Sequence, residues 1–255
     1  MRKLLLIFIV VLMSSGLVMA DVKGEPANHE SAPKIKATGG PDGYGYEFID
    51  STEASGPAYS WVDITGTGTA LGLSDDGEVD ITPGGTYTFY GIGHTTLTVG
   101  NNGGLVMTSG GNLNAGNGAL PAITEPAILP FWDDLDTETG DVYWEEFPSC
   151  PHPQLSGTCL VVEWHQRPHY NGVGDCTVEV ILSATEETML FQYEDVDFGD
   201  AAYDNGQSAT VGIEDDGQDG TYFLQYSYNS PDLSNGLAIL VGTSVPVELM
   251  SFSVE

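Results

Sequence analysis

"TCLVVEW" (residues 158–164) and "CTVEVILS" (residues 176–183) alternate their side chains with a period of two. In the first, Leu160, Val162 and Trp164 fall on one face, and Val161 and Glu163 on the other. In the second, Val178, Val180 and Leu182 oppose Thr177, Glu179 and Ser183. Successive side chains of a strand point to opposite sides, whereas helical apolar positions recur at three and four residues, so both stretches read as β-strands.

The same pattern recurs outward in both directions. "YGYEFI" from Tyr44, "YSWVDI" from Tyr59, "TYTFYG" from Thr86, "HTTLTV" from His94, "TMLFQYE" from Thr188, "SATVGI" from Ser208, "YFLQYSY" from Tyr222 and "LAILV" from Leu237 are short runs bounded by Gly, Pro, Asn and Asp. No window after the first twenty residues sustains helical spacing. Short strands at this density predict an all-β fold, an antiparallel β-sandwich or jelly-roll-like single domain over residues 39–243. The 33 glycines suit hairpins and bulges that need positive φ. Trp61, Phe131, Trp132, Trp144, Trp164 and Phe191 are the expected core anchors.

Residues 1–20, "MRKLLLIFIVVLMSSGLVMA", have a basic start, an apolar run and small residues before Asp21, the pattern of a secretory signal peptide. The apolar run is shorter than the roughly 20 residues of a spanning helix. The expected product is secreted, extracellular or at the cell surface, without membrane insertion. Residues 21–38 lack periodicity and read as a flexible leader. Residues 244–255, "SVPVELMSFSVE", read as a linker and the first strand of a following module.

The chain carries 37 acids against 6 bases, a net charge of -31. Arg2 and Lys3 lie in the signal peptide, and Lys23, Lys34 and Lys36 in the leader, which leaves Arg167 as the one base from Ala37 onward. Phosphate recognition needs clustered Lys and Arg, so nucleic acid and anionic lipid are excluded as partners. Such a chain repels itself and calls for counterions: divalent cations, high salt or a basic partner. Calcium and a saline habitat both answer that need.

The acids are densest in "AILPFWDDLDTETGDVYW", residues 127–144, where Asp133, Asp134, Asp136, Glu138 and Asp141 stand between two strand-like runs. Calcium takes six to eight oxygens from closely spaced carboxylates and carbonyls, so these five acids are the candidate metal ligands and calcium the candidate cofactor. Asp195, Asp197 and Asp200, and Asp215, Asp216 and Asp219, form two lesser groups. None has the EF-hand spacing, and the competing reading of each is an Asp-rich turn between strands.

Cys150, Cys159 and Cys176 are an odd number for an oxidising compartment. Cys150 and Cys159 bracket "PHPQLSGT", a loop that a disulfide would close, leaving Cys176 over. Zinc is disfavoured by the absence of a C-x2-C pair. His165 and His169 stand four apart in "HQRPHY", but Pro168 argues against the helix that a zinc pair at that spacing requires, and they read as polar residues at a hairpin turn. No G-x-S-x-G elbow accompanies any histidine. No catalytic residue is assigned.

In order along the chain, "GGPDGYGYEFIDS" (39–51), "GPAYSWVDI" (56–64), "PFWDDLD" (130–136), "VVEWHQRPHY" (161–170), "FQYEDVD" (191–197), "SATVGIED" (208–215) and "LQYSYN" followed by "LSNGLAI" resemble a β-rich module of large secreted bacterial proteins. Within it, "PFWDDLD…GDVYW", "VVEW" and "FQY" also resemble the nidogen-like extracellular domain. The resemblance implies a non-enzymatic extracellular module, adhesive or accessory within a larger surface protein, whose partner is an extracellular protein or polysaccharide. "VPVELMSFSVE" is similar to the opening of a β-sandwich module that precedes a C-terminal sorting signal in Bacteroidota-type secreted proteins. The alternative is a carbohydrate-binding or glycoside-hydrolysing domain that uses an acidic pair beside exposed aromatics.

Overall fold

The computed structural model describes residues 38–215 and 221–245. Its strands are β1 (Thr38–Gly39), β2 (Glu47–Asp50), β3 (Thr69–Ala70), β4 (Glu78–Ile81), β5 (Tyr87–Phe89), β6 (Ile92–His94), β7 (Leu97–Gly100) and β8 (Gly104–Val106). They continue with β9 (Ala127–Trp132), β10 (Asp141–Phe147), β11 (Cys159–Pro168), β12 (Asp175–Ser183), β13 (Thr188–Asp195), β14 (Thr210–Glu214), β15 (Phe223–Tyr228) and β16 (Leu237–Gly242). One sheet has the order β1-β2-β16-β13-β12-β11-β10-β3, the other β15-β14-β9-β8-β7-β4, and β5-β6 is a separate hairpin. The two antiparallel sheets pack as a sandwich, the all-β architecture that the alternation predicts.

The period-two face of each central strand forms the core between the sheets. Leu160, Val162 and Trp164 on β11 meet Val178, Val180 and Leu182 on β12, with Val162 opposite Val180. Facing them are Leu97, Val99, Leu105, Ile128, Val211 and Ile213 of the second sheet. Burying each such side chain contributes about 1.5–3 kcal/mol relative to exposure. Hydrogen bonds also cross the layer: Trp164 Nε1 donates to Gly100 O, Tyr193 Oη to Pro130 O and Tyr226 Oη to Asp50 Oδ2, each at 2.9 Å. Of the expected anchors, Phe131, Trp132, Trp164 and Phe191 are buried, whereas Trp61 and Trp144 are only half-buried.

The outer face of the larger sheet is also covered. Ile49, Val161, Ile181, Leu190 and Leu240 form a second cluster there with Ile64, Leu155 and Val245. Cys150 and Cys159 form a disulfide with Cα atoms 5.3 Å apart, and the loop it closes lays His152 and Leu155 onto this face. Cys176 is free and buried. Val245, assigned by the sequence reading to a following module, is buried in this cluster; residues 246–255 lie outside the described residues.

"YSWVDI" forms no strand, although its alternation is genuine. Residues 58–65 instead cross β13, β12 and β11 as a strap. Ser60 N donates to Gln192 Oε1 (2.7 Å), Val62 N to Glu179 Oε1 (3.3 Å) and Ile64 N to Glu163 Oε2 (3.0 Å). Glu163 pairs across the ladder with Glu179, and Glu179 with Gln192, so three neighbouring strands present a row of side-chain acceptors. Every second N–H of the strap finds one, and the period of two therefore has side chains as its partner where a strand has backbone. A shorter strap repeats the device on the second sheet: Leu120 N donates to Gln225 Oε1, and Ala122 N and Ile123 N to the two oxygens of Glu214.

Candidate functional site

After Trp132 ends β9, the chain cannot continue as a ladder strand because two asparagines of the β7–β8 turn take over its partners. Asn102 O accepts Asp133 N, Asn102 Oδ1 accepts Leu135 N at 3.0 Å, and Asn101 Nδ2 donates to Leu135 O. Leu135, fully buried, pins the segment to the core. It forms a β-bridge with His169, flanked by Asp136 N to Pro168 O (2.8 Å) and Tyr170 N to Asp134 O (3.0 Å). This short pairing sets Asp133 and Asp134 beside His169 and Tyr170, more than thirty residues later in the chain.

Asp133 is 4 % exposed and His169 1 %. Asp133 Oδ2 accepts the Ser208 hydroxyl at 2.5 Å and lies 3.7 Å from His169 Nε2. Asp133 Oδ1 accepts Asp134 N at 2.9 Å. Burial pushes the Asp133 carboxyl up; burial, then Asp76 and Asp75, push up that of Asp134. The His169 ring packs on Tyr203 at 3.9 Å and on Tyr170 at 4.7 Å between centroids. These groups line an open cavity of about 340 Å³, with the amides of Asn117, Gln207 and Asn229 on its rim. Tyr170 is 56 % exposed and forms an outer wall. Ser208 gives its proton to Asp133 and not to His169, so the three do not form a nucleophilic relay.

The other three candidate ligands lie elsewhere. Asp136 Oδ1 accepts Thr137 N from its own turn, Glu138 is exposed, and Asp141 Oδ1 accepts Gly72 N and Val142 N. Gly140 closes this turn at φ 63°, and a Cβ there would stand 1.9 Å from His165 O. Beneath it is Arg167, buried, with Nη1 donating to Thr139 O and Gly140 O at 3.3 Å each and Nη2 to Asn101 Oδ1. The chain's one late base thus serves the acid loop from inside. Among the described residues, no three His, Cys, Asp or Glu side chains gather as a metal-binding group.

In "EDVDFGD", Asp195 accepts Asp197 N, Asp197 accepts Gly199 N and Asp200 accepts Ala202 N, each shaping its own turn. Asp215 borders, and Asp216 and Asp219 fall within, residues 216–220, outside the described residues. His165 and His169 part company at a bulge between Trp164 and Arg167, where Gln166 has φ 49°. His165 Nδ1 meets Glu163 Oε1 at 3.0 Å on the strap side, while His169 enters the cavity. His169 stands at the start of the β11–β12 turn, as expected from sequence, but it is buried there and lines the cavity. Ser208 and Tyr203, which complete the site, carry no spacing signal that would single them out. A second cavity, of about 450 Å³, is lined by hydroxyls such as Thr96, Thr108 and Ser109 with Glu125 and has no tyrosine wall.

A family model described as NIDO related matches residues 46–248. No curated protein matches the chain, and no solved structure does.

Proposed function

The chain belongs to the NIDO-related family, and from that premise we propose that it is an exported, non-enzymatic β-sandwich module that attaches a larger bacterial surface protein to an extracellular protein or polysaccharide. The family domain and the Cys150–Cys159 disulfide are both consistent with an extracellular protein. The observation that carries the attachment role is the cavity at the ends of β9 and β11, where buried and half-buried polar groups converge beside an exposed tyrosine. Ligand pockets of proteins are typically concave, with aromatic walls and a few convergent polar groups.

A second reading, glycan binding or hydrolysis, is favoured by one feature: Asp133, with its carboxyl raised, stands next to Asp134 within the same cavity. The purified chain should bind immobilised extracellular proteins or polysaccharides in a plate assay and release no product from a panel of aryl glycosides. Turnover lost in Asp133→Asn would replace attachment with hydrolysis. Retention of the chain in the cytoplasm after expression in its source cell would defeat both.

A further inference from the structure

We propose that the cavity binds a primary alkylammonium group, as carried by a lysine side chain or an amino sugar, between Asp133 and His169, with the charge of Asp134 beside it and Tyr170 and Tyr203 as walls. This rests on the attachment role above and gives the chemistry of its ligand.

The protonation of His169 follows from its neighbours. Its Nδ1 lies 2.9 Å from Asn171 Oδ1, and that same atom accepts the backbone N–H of Val173 at 3.3 Å, which identifies it as the amide oxygen. A ring nitrogen facing an acceptor carries the hydrogen, so in the neutral ring Nε2 presents a bare lone pair. Nε2 faces Asp133 Oδ2 at 3.7 Å, too far for a hydrogen bond, and no donor among the described residues reaches it. The Asp134 carboxylate likewise accepts no hydrogen bond among the described residues, and Asp75 and Asp76 add negative charge beside it. The nearest base, Arg167, is engaged with Thr139 O, Gly140 O and Asn101 Oδ1.

The cavity therefore presents Asp133, Asp134 and His169 Nε2 as acceptors, and no Lys or Arg lines it. An ammonium brings three donors, no acceptor and one positive charge. The tyrosine faces suit a cation, because the ring quadrupole is negative on its face. A neutral hydroxyl would bring one donor and leave the charge uncompensated. A divalent metal is disfavoured because no ligand group of three gathers among the described residues.

NMR titration of the isotopically labelled chain at low salt tests this with Nα-acetyl-lysine methylamide and glucosamine, each beside its amine-acetylated form, and with calcium chloride in parallel. The free amines should shift the signals of Asp134, His169, Tyr170 and Tyr203, and acetylation should weaken binding at least about tenfold. Asp134→Asn should weaken it about tenfold and Tyr170→Ala about two- to fivefold; Tyr170 is exposed, so that variant keeps the fold. Preference for the lysine compound identifies a protein partner and preference for glucosamine an amino sugar, and either upholds the proposal. Equal binding of the acetylated forms, indifference to both substitutions, or calcium occupying these residues while the amines do not would overturn it. Such a failure removes the ammonium ligand only; the plate assay judges attachment independently.

Discussion

Glu214 on β14 is fully buried, and its two oxygens accept Ala122 N and Ile123 N at 2.8 and 2.6 Å. Burial outweighs those two bonds and raises its pKa to about 7. A carboxyl raised in the folded state contributes stability that is complete below its unfolded pKa and is lost as pH rises through about 7. The difference between pH 8 and pH 4.5 is on the order of 2–3 kcal/mol. Glu214→Gln cannot ionise, so its Tm should vary less than the parent's across that range; parallel pH profiles of unfolding would measure this, and superimposable slopes would contradict it. Arg167 offers a second test at this scale. Its guanidinium reaches two carbonyls of the 136–141 turn with Nη1 and Asn101 Oδ1 with Nη2, a two-nitrogen fork that the single nitrogen of lysine does not reproduce. Arg167→Lys should cost about 2–3 kcal/mol in urea unfolding, as a buried charge loses hydrogen bonds. An unchanged midpoint would show that the guanidinium is not the loop's anchor.

The strap is the element that most changes how the larger sheet is read. Glu163 and Glu179 would face water in an ordinary sandwich; here both are fully buried beneath residues 58–65. The row of Gln192, Glu179 and Glu163 gives the strap the hydrogen-bond periodicity of a strand without a ladder. The amides of Ser60, Val62 and Ile64 should therefore exchange with solvent about a hundredfold or more slowly than those of Trp61 and Asp63. Residue-resolved hydrogen exchange reads this directly, and uniform rates along 60–64 would mean that the strap is not held by these side chains. The disulfide loop covers the neighbouring part of the same face through His152 and Leu155. The cysteine-bracketed loop, which the sequence offers only as a disulfide, is thus also part of the sheet's cover.

For the molecule as a whole, the net charge of -31 makes self-repulsion the dominant long-range term. Burial also raises the carboxyls of Asp133, Asp134, Glu163, Asp175 and Glu179, so the folded chain takes up protons as pH falls from neutral. Other groups act in the opposite sense: burial holds the His94 and His152 rings low, and their contribution is lost as pH falls below about 6.5, while hydrogen bonds hold the Asp63 and Asp80 carboxyls low, and theirs is lost only in stronger acid. The raised group is the larger, so the Tm should rise from pH 8 toward pH 5. A monotonic fall over that interval would refute the balance. Sodium chloride should raise the Tm by screening. Calcium chloride at matched ionic strength should do no more, because Asp136 and Asp141 already take backbone N–H groups and the acids do not converge. A clear excess for calcium, abolished in Asp134→Asn with Asp136→Asn, would restore the five-acid loop as a metal site.

Local alternation by itself determined that Leu160, Val162 and Trp164 share a face with a period of two, and hence that β11 and its neighbours are strands, because that period is a property of the extended backbone. The two cysteines bracketing one short loop were legible for a similar reason: nearness in sequence constrains nearness in space. What covers each face was not legible. "YSWVDI" alternates as a strand does, but whether its N–H groups meet backbone or side chains depends on Gln192, Glu179 and Glu163, which lie more than ninety residues away. The candidate site has the same character. Asp133, His169 and Ser208 are dispersed in sequence and meet only through the Leu135–His169 bridge and the Ser208 hydrogen bond. Five adjacent acids looked like one cluster, yet a turn points neighbouring side chains in different directions, and Asp133, Asp136 and Asp141 each take donors of their own. Composition determined the charge; only the tertiary structure decided which carboxylates are buried, which shape turns, and which face a cavity.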